Sequence, residues 1–330
     1  MGWGADAAMS KSYVSLNFGE VRTVPLASRP NKVSLKQFGR FPGRGASFRA
    51  FLSGLPDILA GRTVRRVVEA IVQAHRLGKP VIWAMGAHVI KCGLSPFVLE
   101  LMRRRIITAV ALNGAAAIHD FEIALIGETS EDVSRGLRDG SFGMADDTGR
   151  LMNEALAEAG TASEGPGMGA LLGKKLQAIG APYQEYSILA QGLQAGLPVT
   201  VHVAIGTDIV HMHPTADGRA IGNASFRDFR LLASVVADIG GGGVHLNVGS
   251  AVVLPEVFLK AVAVARNLGY PVSDFTTVNL DMLKQYRAME NVVRRPTEEA
   301  GQGFALIGHH EILIPLLVQA VIEELGDGEQ

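Results

Sequence analysis

The chain has 330 residues, one cysteine and a formal net charge of −1, with 48% hydrophobic and only 19% charged residues. This composition and a mean hydropathy of +0.22 supply a large core and exclude disorder, while 31 basic against 32 acidic residues give no field for nucleic acid or an anionic membrane. The lone Cys92 has no partner for an internal disulfide, which points to a reducing compartment and a structural role.

The opening Met1-Gly2-Trp3-Gly4-Ala5-Asp6 lacks the charged-then-apolar order of a secretory signal, and Asp6 stands where myristoylation prefers a hydroxyl. Residues 1–50, rich in Arg, Lys, Gly and Pro, show little periodicity. They read as an extended arm, packed on a neighbouring subunit or wrapped over the chain's own surface. Residues 51–330 read as a single domain. A helix is expected from near Val64, with Thr63 as its N-cap. The apolar run 80–88 precedes a helical pattern at 96–105, and the run 106–114 precedes another at 115–126. Residues 139–168 read as a long loop holding one helix, and a further helix starts near Met168.

Residues 198–206 form an apolar run that leads into a histidine-rich loop, and 242–250 leads into a helix over 252–268. Two more β-rich runs, 272–281 and 303–307, precede the last helix at 312–325. The segment 312–322 is too short to span a membrane and carries Pro315 and Gln319. Continuous apolar strands alternating with helices predict an α/β fold, a Rossmann-like doubly wound, mostly parallel sheet buried on both faces. Ligands of such folds bind beyond the carboxyl ends of the strands. A soluble cytoplasmic protein is expected.

The unusual residues fall at those strand ends. His119 and Glu122, after Asn113-Gly114, are three apart on a helix and share a face, as a general base and its orienting carboxylate would. Asp120 belongs to the same cluster; the alternative is that it caps the helix while His119 makes a local bond. The strand after Gly240-Gly241-Gly242-Gly243 ends in Gly249-Ser250. Glycine there either lets backbone approach a phosphate or serves a tight turn. Asp208, His211 and His213 form a possible metal site, with His202 and His309-His310-Glu311 as further candidates; sequence shows only pairs, whereas a metal takes three or four ligands.

In order and spacing, several of these pieces resemble the deoxyhypusine synthase family over roughly residues 35–325. They are 85–93, the turn at 113–122, 198–206, the glycine-flanked 242–253, Val278-Asn279, Arg294-Arg295-Pro296-Thr297-Glu298 and the helix at 312–322. The resemblance implies an NAD-binding domain, a homotetramer built from dimers, shared active sites, and an arm that can cover a neighbour's site. Those enzymes oxidise spermidine with NAD and pass its aminobutyl group, through an imine on a lysine, to a lysine of a translation factor. Here Phe304 stands at that lysine's position, and a phenyl ring cannot form an imine. Leu254-Pro255-Glu256 replaces the family's histidine. Lys284-Gln285-Tyr286-Arg287 replaces its acidic stretch and suits a carboxylate better than a polyamine.

The turn Asn113-Gly114-x3-Ile118-His119-Asp120-x-Glu122 is also similar to NAD-dependent ornithine cyclodeaminases of the archaeal type, whose chemistry needs no transfer lysine. The expectation is therefore an NAD-dependent enzyme acting on a small amine or amino acid. Gly86, His88, Asn113, Gly114, Gly249, Ser250 and Asn279 would shape the nucleotide site. His119, Asp120 and Glu122 would handle protons, and Glu298 with Lys284 or Arg287 would fix the substrate. Lys91 or Lys284 would have to replace the missing nucleophile if one is needed. The alternatives are a metal-dependent hydrolase at Asp208, His211 and His213, and a non-catalytic relative that binds a nucleotide or partner.

Overall fold

In the computed structural model, which describes residues 12–160 and 164–326, the apolar runs become six strands. They are β1 (Val81–Met85), β2 (Ala109–Asn113), β3 (Val199–His202), β4 (Val244–Val248), β5 (Thr276–Asp281) and β6 (Gln302–Ile307). All pair in parallel, in the order β3-β2-β1-β4-β5-β6. The order reverses direction between β1 and β4, which marks the crevice where Rossmann-like folds take their ligands.

Helices α1 (Phe48–Gly54) and α2 (Leu59–Arg76) precede the sheet. Between β1 and β2 run α3 (His88–Lys91) and α4 (Ser95–Arg103); α5 (Gly114–Ile126) starts directly on β2. The long passage to β3 holds α6 (Val133–Asp139), α7 (Asp146–Ala157), α8 (Met168–Ala178) and α9 (Ile188–Ala195). Helices α10 (Gly218–Ala237) and α11 (Val253–Asn267) make the next two crossovers. The short α12 (Tyr286–Ala288) runs into a π-helical turn, Met289–Arg294, and α13 (His310–Leu325) closes the fold.

Both faces of the sheet are covered. Val81, Trp83, Met85, Val110, Leu112, Leu246 and Leu280 pack beneath α2, α4, α5 and α13. Ile82, Ala84 and Ala111 meet α10 and α11 on the other face. This explains the scarcity of charge, since neither face of a central strand reaches water. The second face nevertheless carries a row of buried polar side chains: Thr200, His202, His245, Asn247, Thr277 and Asn279. His245 lies flat on Phe258, ring centroids 3.6 Å apart and planes within 2°.

Three local expectations change. Thr63 sits inside α2 with its hydroxyl on the Leu59 carbonyl, and Ile58 is the N-cap residue. Residues 272–275 are not strand: Ser273 and Asp274 offer their carbonyls to the N–H groups of Gly241 and Gly242. That crossing explains the glycine run, because Gly241 and Gly242 adopt φ of +73° and +111° at the amino end of β4. Helix α6 lies outside the single helix expected in 139–168.

Within the expected arm, residues 12–47 carry three single 3₁₀ turns, Phe18–Glu20, Leu26–Ser28 and Leu35–Gln37, with no buried residue. Residues 1–11, including the Met1–Asp6 opening, lie outside the described residues. Among the described residues no helix is long and apolar enough to cross a membrane.

Burial pushes the imidazoles of His202 and His245 down to about 3, so both are neutral in the fold at pH 7. From pH 6.5 down toward 3 only the unfolded chain binds these two protons, so the stability they confer is complete above 6.5 and is lost on acidification. Denaturation measured against pH should show stability falling through this window. His245→Asn should make that slope shallower by about one proton; an unchanged slope would show that His245 is not part of the acid response.

Candidate active site

Strand β2 and helix α5 join without a loop. Asn113, the last strand residue, accepts the Ala116 N–H on its side-chain oxygen at 2.9 Å and so caps the helix it leads into. Gly114 follows because a Cβ there would overlap the Asp208 carboxylate. Helical spacing then turns His119 and Glu122 to one side, where they line a cavity of about 230 Å³ with Lys91, Glu131, Thr207 and Asp208. The cavity lies beyond the carboxyl ends of β1, β2 and β3, as the fold class predicts.

The hydrogen bonds around His119 fix its proton. Glu122 accepts from the Thr148 hydroxyl at 3.1 Å and from the Thr129 hydroxyl on its other oxygen. With its hydrogen committed to Glu122, Thr129 Oγ1 can only accept from His119 Nδ1, 2.5 Å away. His119 therefore carries its proton on Nδ1 and a lone pair on Nε2. Burial is the largest influence on this imidazole and lowers its pKa; the Glu122 carboxylate raises it, and the Lys91 ammonium lowers it. Asp208 is shifted upward by burial, against the pull of His211 and the Thr207 hydroxyl.

Asp120 does not join this group. It faces the other way, with 1% of its surface exposed, and takes hydrogen bonds from Ser187 Oγ and from the backbone N–H groups of Ile188 and Leu189 at 2.5, 2.7 and 3.1 Å. It caps the start of α9, not its own helix. Burial raises its carboxyl to about 6 in spite of those three bonds.

Glu298 is also elsewhere. It precedes β6, at the amino end of the sheet, and its exposed carboxylate pairs with Arg294 at 3.1 Å. Arg287 is tied to Glu256 at 3.2 Å, and Lys284 is exposed. Phe304 lies in the middle of edge strand β6, 4.9 Å under the Arg66 guanidinium, half-buried and packed against the core.

The alternative metal ligands diverge. His211 turns back on its own loop and accepts the Gly206 and Asp208 N–H groups on Nδ1 at 3.1 and 3.3 Å. His213 bonds Thr215 at 2.7 Å and faces Asp146. Among the described residues no group of three or more His, Cys, Asp and Glu side chains is arranged to hold a metal ion. Asp208 belongs instead with His119.

The residues expected around a nucleotide do converge, at the carboxyl ends of β1, β2, β4 and β5. Their contacts are less open than expected. The space a side chain would fill at Gly86 is taken by the Gly249 carbonyl, and at Gly249 (φ +64°) by the His310 ring, 2.6 Å from an ideal Cβ. Asn247 donates to the Ser250 carbonyl at 2.8 Å and to Asn279 at 2.7 Å, so Asn279 braces the β4 end from within. Ser250 Oγ accepts the Leu254 N–H at the start of α11. His88 is exposed, and its ring is 5.6 Å from that of His310. The polar groups of this crevice fit a nucleotide in one definite respect: His310 is buried at its floor with Nδ1 unpartnered.

Sequence reasoning named Lys91 only as a replacement nucleophile and His310 only as a further metal candidate, and it did not place Thr129 or Thr148 in these sites. Lys91 ends a helix one turn beyond β1, a signal that was available; the threonines are brought in by long-range folding.

No family model matches the chain, and no curated protein matches its sequence. Solved structures do resemble it. A candidate LOR/SDH protein from Methanococcus maripaludis S2 is 16% identical with a TM-score of 0.50, over 82% of this chain and 71% of that one. AgrE in ternary complex with ornithine and NAD+ is 13% identical with a TM-score of 0.52, over 81% of this chain and 34% of that one. A candidate deoxyhypusine synthase from Entamoeba histolytica is 11% identical, with a TM-score of 0.48, over 86% and 95%. The chain thus spans about a third of the length of AgrE. At these identities the likeness is one of fold.

Two substitutions separate scaffold from site. Asp120→Ala strands three buried donors and should cost about 3 kcal/mol or more of stability. Glu298→Ala removes one exposed ion pair and should stay within about 0.5 kcal/mol of the parent. Denaturant unfolding of both variants checks this; a stable Asp120→Ala protein would contradict the capping role.

Proposed function

We propose that the chain is an NAD-linked enzyme acting on the amine of a small amino acid, with the Lys91–His119–Glu122–Asp208 cavity as its reaction site. The observation that carries this reading is the His119–Thr129–Glu122 chain, which presents a neutral imidazole with a free Nε2 in a cavity holding both a cation and carboxylates. Such a cavity matches a zwitterion. Lys91 would neutralise the substrate carboxylate, and Asp208 would hold an ammonium group.

Oxidation of an amine requires its nitrogen to be unprotonated. His119 Nε2 would take the ammonium proton, and the imidazolium formed would be stabilised by Glu122 through the Thr129 hydroxyl. NAD, when bound, supplies the hydride acceptor; Gly86, His88, Gly249, Ser250 and His310 line the crevice proposed for it. The AgrE structure with ornithine and NAD+ shares this fold and supports that pairing of cofactor and substrate class. No covalent lysine step is needed, which agrees with Phe304 being a half-buried side chain packed against the core. Within this reading, deamination with cyclisation is the finer form.

The arm reading belongs to the same proposal. Tyr13, Leu16, Phe18, Leu35, Phe38 and Phe41 are each more than 60% exposed on the chain alone, which supports an assembled form, a tetramer of paired dimers, that covers them. Light scattering should return a mass near four chains, and a monomer would remove this part of the reading.

The central test is turnover of amino acids with NAD, followed both by the absorbance of reduced nicotinamide, which registers a net oxidation, and by release of ammonia, which also registers a cyclodeamination that returns the hydride. His119→Ala should lower kcat by about 100-fold or more, and Lys91→Met should raise KM by about 10-fold. NAD binding without turnover of any amino acid or amine would favour the non-catalytic relative. Because burial lowers the His119 pKa, the acid limb of kcat/KM should lie below the usual imidazole value of 6.5. In Glu122→Gln the carboxylate that raises it is gone, so residual activity should show that limb at still lower pH.

A further inference from the structure

Helix α13 begins with His310, and its N-terminus has no side-chain cap. The imidazole is 1% exposed and is wedged between the Gly249 turn, the end of β5 and the ring of His88. Nε2 lies 3.2 Å from the Leu280 carbonyl, which can only accept, so Nε2 carries the ring's hydrogen. Nδ1 is left as a lone pair, buried and without any donor. Buried acceptors in folded proteins nearly always find a donor.

Gly249 adopts a left-handed conformation and has no side chain, which is what admits the ring at that depth. His245 is likewise buried, with both ring nitrogens unpartnered, but it stacks on Phe258 within β4, whereas His310 stands beyond the strand ends. The place is the reversal between β1 and β4, where a ligand of this fold class enters.

We propose that His310 is a positioning residue of the nucleotide crevice, whose Nδ1 accepts a hydrogen bond from an O–H or N–H donor of the bound dinucleotide, a ribose hydroxyl or the carboxamide. This rests on the NAD reading above and adds to it a residue from the far end of the chain. It also accounts for a dinucleotide crevice that lacks the usual glycine fingerprint: recognition is carried by a side chain seated on a glycine, and not by bare backbone alone.

The test is calorimetric titration of the full-length protein with NAD. The parent should bind. His310→Phe keeps a ring over Gly249 but removes the acceptor, and should weaken binding by about 10-fold. His310→Asn, whose side-chain oxygen can take the position of Nδ1, should recover most of that loss. Nitrogen NMR of the parent's imidazoles should show one lone-pair nitrogen shifting on addition of NAD, a change a merely structural ring would not make. A parent that binds no NAD overturns the NAD reading and this inference together. A parent that binds, with His310→Phe binding equally and no imidazole nitrogen moving, overturns the role of His310 alone. If His310→Phe does not fold, the NMR titration decides once the His310 signal is assigned by its loss in His310→Asn, which separates it from the lone pair of His119.

Discussion

A parallel sheet covered on both faces leaves only its strand ends for chemistry, and the polar groups of the candidate site are arranged around that restriction. The middle of each central strand is sealed by helices, so a side chain placed there must be apolar or must do without water. The carboxyl ends are different. There the strands stop, helix N-termini begin, and groups from distant parts of the chain can meet. Lys91, His119 and Asp208 come from three successive crossovers and converge because β1, β2 and β3 are neighbours in the sheet.

The same restriction explains the buried carboxylates. Asp120 sits at the start of α9, and Asp228 takes the N–H groups of Gly169 and Val201 at 2.9 and 2.7 Å, between the start of α8 and strand β3. Burial pushes Asp228 up to about 7. Both stitch the long passage between β2 and β3 onto the rest of the fold. That passage supplies Thr129 and Thr148, so the orientation of the His119 proton depends on carboxylates that never touch the cavity.

Much of this could be read from the residues in order. Apolar runs ending in glycine or asparagine marked five of the six strands closely, and the i, i+3 spacing of His119 and Glu122 marked the cavity. Asp120 misled because neighbours in sequence on a helix point in different directions, and only the position of Ser187 shows which way it faces. Glu298, named through the resemblance of its segment, lies away from the cavity because the chain after β5 runs back to the amino end of β6. The glycines were located correctly but explained differently: Gly86, Gly114 and Gly249 make room for a carbonyl, a carboxylate and an imidazole of the protein itself. No local pattern announces such a contact, since its two halves are up to 163 positions apart, as Gly86 and Gly249 are.

The seat of His310 on Gly249 has a consequence for how the molecule is made. Translation delivers β1 and β4 well before the last helix, so a growing chain can pair its central strands while the floor of the crevice is still missing. Only when α13 docks against α2 does the imidazole enter the turn. The site is thus finished only by this helix, and an intermediate that lacks it, however well folded in its sheet, has no floor to that crevice.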